Sequence, residues 1–154
     1  GAVHPAILLI DIDHFKAVND HHGHSAGDVA LRLTAMRLTM SAGRHAVVAR
    51  LGGDEFVVLV PDPTPTLGEF ADRLRRAVHN VDDDIAITVS IGGSLPHMDR
   101  TTSREIFDGT LAAADAALFT AKRNGRNRIA LDRPHIAESS DRESETDRGG
   151  GAGR

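Results

Sequence analysis

Cysteine, tryptophan and tyrosine are all missing from this sequence, and its only benzenoid rings are five phenylalanines. Without cysteine there is no disulfide, no thiolate metal site and no cysteine nucleophile, and a reducing, cytoplasmic setting is the expectation. Without Trp or Tyr there is little to stack on bases, and 18 basic against 22 acidic residues leave a net charge of -4. That balance argues against a broad electrostatic grip on nucleic acid, so a polyanion would need a metal ion or a local basic pocket. No apolar stretch reaches membrane-spanning length, and the N-terminus lacks the basic start and apolar centre of a signal peptide. The sequence opens at Gly1 without Met and runs straight into an apolar strand, so a fragment of a longer protein is expected. Any membrane or sensory part would lie outside it.

What remains is 154 residues, 40% hydrophobic and 26% charged, enough for one domain with a substantial core. The run Ala6-Ile-Leu-Leu-Ile-Asp-Ile12 is short, continuous and apolar, as a strand buried on both faces should be. From Ser25 to Met40 a helix is predicted on Val29, Leu31, Leu33, Met36, Leu38 and Met40, with Ser25 as N-cap and a stop near Gly43. Ala46 to Ala49 and Phe56 to Val60 are β-rich and flank Gly52-Gly53, the punctuation of a hairpin. Pro61, Pro63 and Pro65 close that unit. Thr66 to Asn80 then has helical spacing at Leu67, Phe70, Leu74 and Val78, and Ile85 to Ile91 alternates as a strand. Thr110 to Asn124 reads as a helix stopped by Gly125, and Asn127 to Leu131 as a last strand. The order β-α-β-β-α-β-α-β predicts an α+β domain over residues 1–132, and the charged, serine- and glycine-rich run 133–154 is expected to be a disordered tail. Phe15, Phe56, Phe70 and Phe119 read as core residues.

Asp11 and Asp13 close the first strand, and Asp54 and Glu55 follow the hairpin glycines. If the strands are neighbours, their ends share one solvent-facing rim, where four hard oxygen donors suit Mg²⁺ or Mn²⁺ bound jointly with substrate phosphates. Taken alone, the hairpin is better read as a Gly-Gly turn with two solvated acids, and Asp11-Ile-Asp13 as an ordinary strand end. A third stretch shifts that balance. Phe15 to Asp28 crowds Lys16, Asn19, Asp20, Gly23, Gly27 and Asp28 into what reads as a loop between strand and helix. His21, His22 and His24 share that loop, but solvated histidines are the better reading of them than a zinc site.

A set of segments in order resembles the GGDEF domain of diguanylate cyclases from about Ala6 to Leu131. They are Asp11-Ile-Asp-His-Phe-Lys-Ala-Val-Asn-Asp20, Gly23-His-Ser-Ala-Gly-Asp28, Arg50-Leu-Gly-Gly-Asp-Glu-Phe56, Ser90-Ile-Gly92, and Ala114-Asp-Ala-Ala-Leu-Phe-Thr-Ala-Lys122 followed by Gly125-Arg-Asn-Arg128. The resemblance implies a central, mostly antiparallel sheet with flanking helices, similar to nucleotidyl cyclase and polymerase palm domains. It implies an enzyme that joins two GTP into cyclic di-GMP and releases two pyrophosphates. Asp11, Asp54 and the Ile12 carbonyl would then be ligands of Mg²⁺ or Mn²⁺, with Asp11, Asp54 and Glu55 forming the catalytic acidic centre. Asn19 and Asp28 would read guanine, Lys122 and Arg126 would hold the β and γ phosphates, and backbone N–H groups of His14, Phe15 and Lys16 would cradle them. For Lys122 and Arg126 the plain alternative is ordinary charge at a helix C-terminus, and for the Lys16 side chain solvation. One GTP per domain implies a homodimer for turnover, with no nucleic-acid or membrane partner for this fragment.

The sequence departs from the family pattern in two places. Gly43-Arg-His-Ala46 occupies the span where many relatives carry an Arg-x-x-Asp product-inhibition motif, so tight feedback inhibition there is not expected. The usual leading segment, Asp-x-Leu-Thr-x-Leu-x-Asn-Arg-Arg, is also absent ahead of the first strand, and its loss is expected to bare part of the core. The alternatives to a cyclase are a catalytically silent GTP-binding regulatory module, and a related cyclase or palm-type polymerase for another nucleotide. Asp28 favours guanine over the last.

Overall fold

A computed structural model describes residues 2–61, 67–79 and 84–132. The elements are β1 (Ala6–Ile12), α1 (Phe15–His22), α2 (His24–Ala42), β2 (Val47–Gly52), β3 (Glu55–Val60), α3 (Leu67–Val78), β4 (Val89–Ser94), α4 (Ser103–Arg123) and β5 (Ile129–Asp132). One sheet contains all five strands in the order β2-β3-β1-β4-β5, antiparallel except for the parallel β4–β5 pair. The expected α+β domain with a mostly antiparallel sheet is therefore present. The tail expected at 133–154, and the ends of the predicted second helix at Thr66 and Asn80, lie outside the described residues. Among the described residues no helix is long and apolar enough to cross a membrane.

β1 is the middle strand and every one of its residues is buried, which explains its unbroken apolar run. Side chains alternate across the sheet, so Leu8, Ile10 and Ile12 join Phe56, Val58, Leu74 and Val78 in the larger core under α2 and α3. Ile7 and Leu9 turn the other way and meet Val57 together with Ala114 and Leu118 of α4. Fully burying such a side chain contributes roughly 1.5–3 kcal/mol. By the same alternation Asp11, next after Ile7 and Leu9, belongs to the α4 face. α4 itself can come down only because Gly92 has no side chain. A Cβ there would lie 2.1 Å from the Leu118 nitrogen and 2.3 Å from the Ala114 carbonyl oxygen.

Several expectations are corrected. Phe15 to His22 is a helix, not a loop; its one buried side chain, Val18, gives almost no apolar period to read. Gly23, at φ 86°, turns the chain directly into α2. In α2 the buried residues are Gly27, Ala30, Thr34, Leu38 and Ala42, while Val29, Met36 and Met40 are exposed, because small residues let the helix lie close. The strand expected from Ile85 begins only at Val89, since β1 runs out at Ile12, the partner of Val89. α4 starts at Ser103, well before Thr110. Thr102 caps it by accepting from the Glu105 N–H, and the Glu105 carboxylate accepts from the Thr102 N–H in return. Phe119 is not core: it points outward, 61% exposed, with the Arg123 guanidinium 5.8 Å from its ring centre. Gly92→Ala should destabilise the domain by about 3 kcal/mol or more, because the new methyl meets backbone rather than a movable side chain. Equilibrium urea denaturation measures this, and an unchanged midpoint would refute the close approach of α4.

Candidate active site

Parity, register and a tight turn build the acidic end of the sheet. Asp11 is the Cα partner of Glu55 across the β1–β3 pair, so two carboxylates face one another on adjacent strands. Gly53, at φ 53°, provides the left-handed step of the hairpin that leads into Asp54. The Arg50 guanidinium steadies that turn by donating to the Gly53 carbonyl at 3.0 Å. The Asp54 carbonyl accepts from the Ile12 N–H at 3.2 Å, which ties the turn to the last residue of β1. From the other side Lys122, one turn beyond the buried Leu118, reaches across to an ion pair with Asp11 Oδ2. Asp11 is only 8% exposed.

Burial is the main reason the Asp11 carboxyl is pushed up from 3.8 to about 6; the neighbouring Asp54 carboxyl raises it further, and Lys122 pulls the other way. Asp11 Oδ1 is buried with no hydrogen-bond partner among the described residues. An unsatisfied carboxylate oxygen beside a second acid fits a hard cation. Among the described residues no three His, Cys, Asp or Glu gather as a metal site; Mg²⁺ bound together with substrate phosphates commonly rests on only one or two carboxylates.

The other expected residues flank this end. His14, at φ 55°, starts α1 without a side-chain cap; the first helical hydrogen bond is Val18 N–H to the His14 carbonyl. The N–H groups of Phe15 and Lys16 are thus the open positive end of a helix immediately after β1, not a loop. Lys16 is exposed. Asn19 packs onto α2 at Gly27, the residue before Asp28: a Cβ on Gly27 would lie 1.8 Å from Asn19 Oδ1, so the amide rests directly on the α2 backbone, and Asp28 itself is exposed. Past α4 the chain turns through Gly125, Arg126 and Asn127, all at positive φ, and the Arg126 side chain is exposed with no ion pair among the described residues.

Asp13 does not join the acids. It is 7% exposed, and its two oxygens accept from the Thr88 hydroxyl at 2.7 Å, the Ser90 hydroxyl at 2.6 Å and the Asn127 N–H at 2.9 Å. Both of its oxygens are hydrogen-bonded within the fold, unlike Asp11 Oδ1, which sets Asp13 apart from the other three expected donors. The role of Gly27 in seating Asn19 was not visible in the sequence, where only its place between Asn19 and Asp28 hinted at it.

The class these features define is an α+β domain whose central strand ends in an acidic, cation-fitting site faced by a lysine from a crossover helix. The family model described as diguanylate cyclase, GGDEF domain, matches residues 2–128, and the chain belongs to that family. A 19.3 kDa protein from the repSA 5′ region of Streptomyces ambofaciens is 43% identical over 129 residues, which cover 81% of this chain and 67% of that protein. Diguanylate cyclase A of Treponema denticola is 36% identical over 141 residues, covering 87% of this chain but 37% of that protein. The chain thus spans little more than a third of that relative. Among solved structures, the active GGEEF domain of a diguanylate cyclase from Vibrio cholerae superposes with a TM-score of 0.73 at 30% identity, over 84% of each chain. The mixed five-stranded sheet with four helices is the fold of these neighbours.

The raised Asp11 carboxyl sets a pH dependence in metal-free buffer. Near pH 3.8 and below, folded and unfolded chains both hold its proton, and above about 6 neither does. Between those values only the folded chain holds it, so raising the pH favours unfolding. Asp11→Asn removes that pH dependence: its stability relative to wild type should be higher at pH 7.5 than near pH 4, by up to about 3 kcal/mol. Chemical denaturation at both pH values checks this, and a constant difference would show that Asp11 ionises freely.

Proposed function

We propose that this domain condenses two GTP into cyclic di-GMP with release of two pyrophosphates, acting as a two-fold pair of chains that each present one nucleotide. The observation that carries the reading is the orphaned Asp11 oxygen beside Asp54, at the end of β1 in a chain of the GGDEF family. A Mg²⁺ or Mn²⁺ ion held by Asp11, Asp54 and the Ile12 carbonyl would polarise the α-phosphate and lower the pKa of the attacking 3′-hydroxyl.

The chain's own residues do the rest. Lys122 and Arg126 hold the β and γ phosphates and stabilise the charge that builds on the leaving pyrophosphate. The open N–H groups at the start of α1, from His14 to Lys16, add the positive end of a helix dipole. Asp28 accepts from the N1–H and amino group of guanine, a donor pair adenine lacks, and Asn19 completes that edge. Glu55, exposed and opposite Asp11, is left to accept the proton of the attacking hydroxyl. Since one site holds one nucleotide, the second 3′-hydroxyl has to come from another copy facing it across a two-fold axis.

With Mg²⁺ and GTP, the chain fused to a dimerising coiled coil should form cyclic di-GMP, and Asp54→Ala should lower the rate on the order of a hundredfold or more. Chromatography of the product decides this; GTP binding without any product in the forced dimer would favour a silent regulatory module instead. Gly27→Ala should separate binding from stability. Asn19 can swing away from the new methyl and alanine suits a helix, so the melting temperature should hold or rise. Calorimetric GTP affinity should nevertheless fall about tenfold as the guanine edge loses its amide. Unchanged affinity would remove Asn19 from the guanine site.

A further inference from the structure

We propose that Asp13 is a positioning residue that acts through Arg126: it fixes the turn after α4 so that the Arg126 guanidinium is aimed at a nucleoside triphosphate. This rests on the GTP reading above. The turn is the least relaxed backbone near the site, with Gly125 at φ 121°, Arg126 at φ 61° and Asn127 at φ 43°. Two of these are not glycine, and a left-handed conformation costs such residues free energy unless the surroundings hold them there. Besides the Arg128 guanidinium, which donates to the Arg126 carbonyl at 3.0 Å, three contacts hold Arg126 and Asn127. The Arg126 N–H donates to the Ala121 carbonyl at 3.1 Å, and the Asn127 side-chain oxygen accepts from the Arg75 guanidinium at 2.9 Å. The third is the Asn127 N–H to Asp13 Oδ2 at 2.9 Å, which joins the turn to the strand that carries Asp11.

Asp13 is suited to hold something else in place because it is itself held. The Thr88 hydroxyl donates to the same oxygen as Asn127, and the Ser90 hydroxyl donates to the other. Its backbone N–H also donates to the Thr88 carbonyl at 2.9 Å. One carboxylate therefore links the end of β1, the start of β4 and the turn after α4. The Arg126 side chain has no ion pair of its own among the described residues, so the peptide units on either side set its direction.

The hydrogen-bond pattern separates this role from metal ligation or charge. An asparagine at position 13 can keep all three side-chain contacts: its oxygen accepts from Thr88 and Asn127, and its NH₂ donates to the Ser90 hydroxyl, which is able to accept. It loses only the charge. The readout is the gain in affinity from GMP to GTP with Mg²⁺, measured by calorimetry on protein that melts cooperatively. Asp13→Asn should leave that gain within about twofold of wild type, and Asp13→Ala should cut it about tenfold by weakening GTP alone. Arg126→Ala should match Asp13→Ala, and the double variant should be no worse than either. If Asp13→Ala does not fold, Thr88→Val with Ser90→Ala keeps the carboxylate, removes two of its anchors and should cut the same gain.

Equal damage from Asp13→Asn and Asp13→Ala would overturn the proposal in favour of a charge or ligand role. Equal weakening of GMP and GTP, or additive losses in the double variant, would overturn it as well. A wild type that prefers GTP, with Arg126→Ala losing the preference and the Asp13 variants keeping it, sinks this inference alone. A wild type with no preference for GTP over GMP sinks the functional reading with it.

Discussion

Asp11 stands where a strand buried on both faces runs out of apolar side chains, with the hydrophobic layer of α4 behind it and Asp54 in front. Its charge is therefore expensive in the empty protein, which is why its carboxyl rises to about 6. Lys122 offsets part of that cost through Oδ2 and leaves Oδ1 without a partner. A buried acid that is only half compensated is poorly suited to a structural role and well suited to receive a cation with a charged ligand attached. The surrounding geometry follows from keeping that acid in place.

The acids and the cations reach the site by different routes. Asp11, Asp54 and Glu55 come from antiparallel neighbours and a tight turn, where register alone brings them together. Lys122 and Arg126 come from the crossover that parallel pairing of β4 and β5 requires, and they depend on how α4 is seated. Asp13 bridges the two halves with one carboxylate. Two carboxyl groups separated by a single residue thus differ: Asp11 keeps one oxygen without a partner, and Asp13 has both oxygens hydrogen-bonded.

Much of this could be read from residues alone. The unbroken apolar run of β1, the glycine pair of the hairpin and the helical period of α3 each gave the right element, because each reflects local patterning. α1 is not legible in the sequence because a short helix with one buried side chain has no apolar period, and its polar residues imitate a loop. The true start of α4 is legible in Thr102-x-x-Glu105, a capping box that stands ahead of the alanine-rich run. Asp13 could not be told from Asp11 by sequence. The partners that saturate it lie far along the chain, at Thr88, Ser90 and Asn127, and only the fold brings them together.

The contact at Gly92 has a consequence for how this domain tolerates change. Backbone atoms of α4 rest where a side chain would otherwise stand, so main-chain contact at Gly92 sets how closely the helix approaches β4. Drift in the neighbouring core can swap one aliphatic residue for another without lengthening the span between amine and carboxylate. A single codon sets that dimension, and it admits one amino acid.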